Sequence, residues 1–558
     1  MSPLQRIPLV IAVIALIGAA CAPAAQPAAP AAPAQPAAAP APAAKPAPPP
    51  AEKPQRGGIL KTWENIEAPH LDFVFINSVS LGHRVMGTIY QRAMRYKSDP
   101  GVDPNATILE PQLVERWEVR DGGKTILFHV RKAVKWHNVA PVNGRELTAD
   151  DFVFSYNRLW KTQGSGQATW FRLVENIEAT DKYTLKITMK EPSAAFMILM
   201  GHTWASIHAK EVVEKDGDLK KTQIGTGPFM MNKREPQVVT SVRRNPDYWE
   251  SGKPYLDGVD IFFFPDASAA LSSFRARQLD HFPTLGDKAQ KDSILSSLPD
   301  VKVTNEFLQL LFCKFHFDTT KPPWNNEKLR QAVSLTLNRQ AHIDTFAGGE
   351  GSVIGIMPLG WAPVALRPEE LGEGGKYWKR DLKLAAQLVK EAGFPVPFEV
   401  PFLHNLLFDA WVSRFVNDLN EGPFKLQVKP ITTQEYLPGP YIGKWPPGFG
   451  FTKGCGPATI EAGQFMGALF DPTQVITNNS LVNDPVLTKM VEEQEGILDS
   501  KARLQKLHEI QRYAATKMYY VPTAQGKSIT FVQPSVMDFN ETISFNRGDI
   551  YHQVWLKK

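Results

Sequence analysis

Cysteine is nearly absent: 3 residues in 558, at positions 21, 313 and 455. So few exclude a scaffold stapled by many disulfides, and they neither demand nor exclude an exported location. A dominant charge sign is also missing, since 62 Lys and Arg face 57 Asp and Glu for a net charge of +5. Setting aside the first 55 residues removes Arg6, Lys45, Lys53 and Glu52 and leaves the remainder close to balanced. A charge that small and evenly spread excludes a nucleic-acid binder. No apolar run after residue 20 approaches membrane length. The motifs H-E-x-x-H, G-x-S-x-G, S-x-x-K and the Walker A loop do not occur, which argues against the common hydrolases and NTPases. The 12 His form no i, i+4 pair around a Glu, and His202 and His208 stand six apart, so no metal site and no cofactor is expected.

What is present begins at the front. Residues 9–20, LVIAVIALIGAA, follow Arg6 and end in small residues. Twelve residues at about 1.5 Å each fall short of a ~30 Å hydrocarbon core, so they read as the core of a signal peptide. Cys21 after Gly18-Ala19-Ala20 resembles a bacterial lipoprotein cleavage site, with residues 1–21 as the signal segment and Cys21 as the lipidated N-terminus. Gly18 departs from the Leu-like residue usual three before the cysteine, and cleavage by the general signal peptidase is the alternative. Residues 22–54 hold 16 Ala and 12 Pro among 33 and cannot bury a core. As polyproline at about 3.1 Å per residue, this tether (22–55) would reach on the order of 100 Å.

About 500 residues remain after Arg56, too many for one ordinary core, so at least two lobes are expected. Thirteen Trp and 31 Phe suit stacking on a ligand, but more often fill cores. The richest stretch is 110–158. Leu113, Trp117 and Val119 precede an Asp121-Gly122-Gly123 turn, and residues 125–130 alternate as a half-buried strand. An Arg-Lys-x-Val-Lys-Trp-His run follows. Thr148 then caps a helix whose first turn carries Asp150 and Asp151.

This block resembles the N-terminal block of family 5 of the solute-binding proteins, the peptide/nickel/opine group of ABC importers. Further landmarks follow in family order: Gly57-Gly58 and Leu71-Asp72, Gly225-Thr226-Gly227-Pro228-Phe229, and Arg243 to Trp249. They continue with Pro322-Pro323-Trp324, Arg330-Gln331-Ala332, the helical stripe of 381–394 and Tyr519 to Pro522. The resemblance implies an α/β, two-lobed periplasmic-binding-protein-like fold of the large type II (cluster C) kind. Lobe one would take 56–97, 207–310 and 528–558, a subdomain 98–206, and lobe two 311–527. It also implies a non-enzymatic, exported and membrane-anchored monomer. Such a protein captures a small or peptide-like solute and delivers it to an ABC permease and ATPase complex.

In such proteins the ligand lies between the lobes, and peptide-binding members commonly hold its α-amino group with an Asp after a Gly-Trp-containing strand. The matching stretch, Gly448 to Pro457, contains no carboxylate and offers Lys453 instead. Lys453 either meets an anionic ligand group or points to solvent, and lysine's burial statistics favour solvent. Phe451, His83, Arg84, Tyr90, Trp63 and Trp361 are further ligand-contact candidates, each with a structural reading beside the functional one. The resemblance implies that some members bridge the segments of Cys313 and Cys455; two buried thiols are the alternative. Rival functions are a same-fold sensor or chaperone uncoupled from import, and an anchored extracellular hydrolase.

Overall fold

Alternation writes the first sheets directly. Strand Thr125–Val130 buries every second residue, and the Asp121–Gly123 turn joins it to Val114–Arg120 in an antiparallel pair. With Thr184–Met189 and Val174–Asp181 these form a four-stranded antiparallel sheet, covered by helix Ala149–Lys161. That helix starts in a capping box: the Asp151 carboxylate accepts the Thr148 backbone N–H at 2.9 Å.

A computed structural model describes residues 52–65, 67–75, 82–285, 288–306, 312–361, 363–406, 409–456, 459, 461–474, 477–542 and 547–558. The signal core 9–20, Cys21 and nearly all of the Ala/Pro tether lie outside the described residues. Pro54–Lys558 forms one unit.

Three more sheets organise it. Ile59–Glu64 pairs in parallel with Gly258–Phe263, which continues antiparallel through Val239–Arg244 and Phe229–Glu235. Strand Ser528–Val532 is flanked antiparallel by His281–Leu285 and Lys302–Glu306. The five-stranded sheet runs Phe424–Ile431, Phe398–Asn405, Phe451–Cys455, Cys313–Phe317, Tyr520–Pro522. The chain therefore passes from the three-stranded to the five-stranded sheet after Glu306 and returns over residues 523–527. One apolar cluster includes residues of the four-stranded and five-stranded sheets, and a second packs Trp63, Phe274, Phe282 and Phe531.

Two expectations shift. Cys455, in a Gly-rich stretch that suggests a loop, ends strand Phe451–Cys455, because the loop stops at Gly450 and the strand starts at the next residue. Pro265-Asp266-Ala267 with Ala269-Ala270-Leu271 suggests a helix ending near Leu279-Asp280; helix Ala267–Arg275 stops short of it, and Arg277 takes a left-handed φ of 57°. The Gly225/Gly227 landmark also has a reason beyond turning: a Cβ at either position would strike the carbonyls that end helix His83–Ile89. The Gly227 N–H donates to Ile89 O at 2.9 Å, so the backbones touch where a side chain would separate them.

Candidate functional site

The crossover end of the five-stranded sheet collects the chemistry. Residues directly opposite on antiparallel strands share a face, so Cys313/Cys455, Phe315/Lys453 and Phe317/Phe451 lie on one face and Lys314/Gly454 and His316/Thr452 on the other. Cys313 and Cys455 are joined as a disulfide across the two central strands.

On the first face Phe451 stacks on Phe317 at 5.1 Å and touches Trp324, Phe402 and Phe315. It is fully buried core, and its candidacy as a ligand contact is corrected: aromatic neighbours occupy its surroundings. Lys453, two residues on, is 1% exposed. Solvent exposure, which the burial statistics favoured, is therefore wrong, because Lys453 occupies the centre of a sheet and not a loop. Its neighbourhood includes His342, which stacks on Phe415 at 4.3 Å. Burial first, then the charges of Lys453 and Arg414, push the His342 pKa down to about 3.

On the second face stands a lysine that sequence reasoning passed over. Lys314 donates to Gly456 O and to Asn479 Oδ1 (3.1 Å), and Asn479 in turn donates to Tyr441 O. Among the described residues no carboxylate lies within ion-pair distance of Lys314. Burial pushes both ammonium groups down to about 7, and the Lys453 charge adds to the push on Lys314. Beside Lys314, His316 tilts against Trp445 at 5.6 Å and Tyr436 at 6.2 Å. Burial holds its imidazole neutral. The Tyr436 hydroxyl fills the space that a Cβ at Gly454 would need, so no side chain fits at that point of the strand. The sheet end therefore presents two buried ammonium groups, Lys453 on one face and Lys314 on the other. Lys314, whose partners are neutral oxygens, would gain from an anion that offsets its burial cost.

The signal for Lys314 and His316 was available. In Phe312-Cys313-Lys314-Phe315-His316-Phe317 the two polar residues alternate within an otherwise apolar strand, and so share one face.

The remaining candidates lie elsewhere. His83 opens helix His83–Ile89 and packs against His202 (5.4 Å) and Trp204 (5.5 Å). Arg84 is buried, its Nη1 bonded to Glu541 (2.5 Å) and Tyr551 (2.6 Å). Its guanidinium is thus already engaged within the protein. Tyr90 caps that helix and meets Phe73 edge-on at 5.5 Å. Trp63 lies near the end of strand Ile59–Glu64, stacked on Phe282 at 5.6 Å. Trp361 sits in a short turn against Phe465 at 4.8 Å, near the start of the Cys313 strand through the Phe312–Phe465 contact. Among the described residues no group of three His, Cys, Asp or Glu could hold a metal ion, and no helix is long and apolar enough to cross a membrane.

Residues 109–414, more than half of the chain, match the bacterial extracellular solute-binding proteins, family 5, middle region. The chain belongs to this family. Its members are substrate-binding proteins of ABC importers, and this protein is one of them. It is similar to heme-binding protein A of Haemophilus influenzae, 24% identical over 81% of this chain and 84% of that protein. It is also similar to di/tripeptide-binding protein 1 of Pseudomonas aeruginosa, 25% identical over 81% of this chain and 86% of that protein. Among solved structures, DppA of Helicobacter pylori with the peptide STSA superposes with TM-score 0.74 at 22% identity, over 90% of this chain and 99% of that one. MoaA of A. tumefacien R10 with mannopinic acid gives 0.71 at 20%, over 90% and 100%. The mixed α/β architecture is that of these periplasmic binding proteins.

Proposed function

We propose that the protein captures a peptide-like or other small solute through an anionic group held at Lys314, and passes it to a membrane permease without chemically altering it. The supporting observation is the burial of the Lys314 ammonium among neutral oxygens at the crossover end of a central strand. That end is where the chain enters and leaves the five-stranded sheet, which is where a ligand between lobes would lie. The lobes in this reading are 56–97, 207–310 and 528–558 for the first, with subdomain 98–206, and 311–527 for the second. The sheet memberships support this division, since the five-stranded sheet takes strands from 313–522 and no strand from outside that span. The disulfide ties the strand of Lys314 to its central neighbour and would hold that strand in register. Relatives bear names for peptide and heme binding, and one neighbour holds mannopinic acid; the missing carboxylate in 448–457 favours the anionic class over ordinary free-amino peptides held in the usual way.

The test is a thermal-shift screen of peptides, amino-acid conjugates, sugars and organic acids. A true ligand at a hundredfold excess over Kd adds about 2.7 kcal/mol to unfolding. Lys314→Ala weakens the best anionic ligand by about 1.5–3 kcal/mol, the worth of a charge-assisted bond, and Lys314→Asp weakens it further. Turnover of a screened compound, or silent substitutions at Lys314, contradicts the proposal.

We also assign the protein an exported, N-terminally lipidated and monomeric state, supported by Arg6, the 9–20 apolar core and Cys21. One acyl chain gives only marginal membrane binding, so two are expected. Cys21→Ala should release the protein from the membrane fraction, and a mature N-terminus that is unmodified and starts elsewhere rules the anchor out.

A further inference from the structure

One end of the antiparallel sheet of the 98–206 subdomain meets the second half of the chain. Strand order brings three connections together at that end: the Asp121–Gly123 turn, the residues after Thr184–Met189, and Arg172 ahead of Val174–Asp181. Thr125 pairs with Thr188 and Val174 with Met189. The Met189 N–H donates to Lys124 O and the Lys190 N–H to Leu173 O, both at 2.8 Å. Phe171, buried against Tyr156 at 5.8 Å, anchors the short turn that leads into Arg172.

Opposite stands the link between helices Pro485–Glu495 and Ser500–Lys517. Asp484 caps the first helix, accepting the Val486 N–H at 3.0 Å, and Asp499 caps the second, accepting the Ala502 N–H at 2.8 Å. Arg503 of the second helix donates to Gln494 Oε1 of the first at 2.9 and 3.0 Å, so the link is short and held from both sides. Arg172 forms an ion pair with Glu495 across 323 positions of sequence. A Cβ at Gly123 would come within 2.7 Å of the Leu498 side chain and 3.0 Å of Pro192, so the glycine admits Leu498 as well as making the turn. Glu495 ends its helix, where the dipole disfavours a carboxylate, and that last turn holds no basic residue. Its neighbour Glu493 pairs with Lys506 of the same lobe at 2.7 Å, whereas Glu495 takes its cation from the subdomain.

We propose that Arg172 and Glu495, with Leu498 seated over Gly123, form a clasp that holds the two lobes closed and so sets how tightly a captured solute is retained. The clasp rests on the two-lobe division of the functional reading and is independent of what Lys314 binds. A second ion pair between the lobes, Lys291 with Glu350 at 2.8 and 3.0 Å, lies beside the returning crossover, where the Lys527 N–H donates to Glu350 O at 3.2 Å. Rotation about the crossover moves that pair least, which leaves the clasp as the contact that opening breaks. Apparent affinity falls with the fraction of chains in the binding-competent state, so a loosened clasp weakens every solute by the same factor. An exposed ion pair shifts such an equilibrium by up to about fivefold.

The experiment uses the dialysed full chain with no solute added. Spin labels are attached through non-cysteine handles at Val119 and Val486, both exposed, and double electron–electron resonance reads the closed-to-open ratio. Glu495→Arg and Arg172→Glu should each lower that ratio by about twofold or more at low salt. The charge swap that combines them should recover at least half of the loss, which a merely structural role at either position would not do. Salt of about 1 M should bring wild type toward the single variants by screening the pair. Leu498→Ser should lower the ratio and leave the salt response in place. Single reversals that leave the distances unchanged, a swap that restores nothing, or an open form missing from wild type and variants alike overturns the clasp. Should a reversal fail to fold, the salt response of wild type decides, and its absence overturns the clasp too. No anion is present and Lys314 is intact throughout, so the anionic reading stands or falls on its own test.

Discussion

The two halves of the molecule bury charge in opposite ways. In the first, buried arginines find carboxylates: Arg92 with Asp549, Arg158 with Asp72 at 2.5 Å, and Arg84 with Glu541. In the second, Arg330 donates to the backbone oxygens of Trp324, Lys517 and Met518, Arg339 to those of Pro522, Ser334 and Trp378, and Lys314 to Gly456 O and Asn479. Arg503 with Glu461 is the exception. The charges of Arg330, Arg339 and Lys314 are therefore held by dipoles and not by ion pairs among the described residues. Burial accordingly lowers Arg330 to about 10 and Arg339 to about 9, whereas the surrounding carboxylates and Tyr551 raise Arg84 despite its burial. A pair neutralised internally has nothing left to offer a ligand. A cation held by carbonyls alone keeps its attraction for an anion, and that is what makes the second half the better place for one.

The comparison can be broken at its strongest point first. Asp72 accepts two bonds from Arg158 and one from the Leu219 N–H. Burial alone would raise its pKa, but the bonds and charge of Arg158 win and hold it below the usual range. Asp72→Ala should lower unfolding free energy by about 3–5 kcal/mol in urea titration, since it strands a buried cation. A loss below about 1 kcal/mol would mean that the pair is not a structural tie.

The lysines should show the opposite behaviour with pH. Both have folded pKa values near 7 and an ordinary value of 10.5. Between those limits the unfolded chain binds protons that the folded chain does not, so stability rises with pH from about 7 to about 10.5 and their contribution is flat below 7. The slope is at most about 1.4 kcal/mol per pH unit per lysine. Urea midpoints of wild type and the Lys314→Met/Lys453→Met variant, compared between pH 7 and 9.5, should diverge at the low end and converge at the high end. The smallest effect is expected from Lys314→Met alone at pH 9, within about 1 kcal/mol of wild type, since the group removed is by then mostly neutral.

How much of this was legible in the sequence follows from which interactions are local. The Asp121–Gly123 turn, the Thr148 cap and the alternation of 125–130 are settled by neighbours in the chain, and they appear where spacing placed them. Proteins of this family share those landmarks, so the fold class followed. The site is made of residues far apart in sequence. Lys453 meets Phe315 across a strand pair, and Tyr436 closes over Gly454. Whether a lysine is buried depends on whether its strand is central, and no local pattern in Gly448 to Pro457 distinguishes a central strand from a loop. Arg84 and Glu541, 457 positions apart, show the same limit: the sequence suggested a ligand contact where the fold had already supplied a partner.

Native mass spectrometry of the protein purified from its own source tests the central claim most directly. The account predicts one small molecule bound per chain, bearing a carboxylate, phosphate or sulfonate, and lost or weakened when Lys314 is replaced by Met. A bound molecule with no anionic group, retained undiminished by that variant, would contradict it.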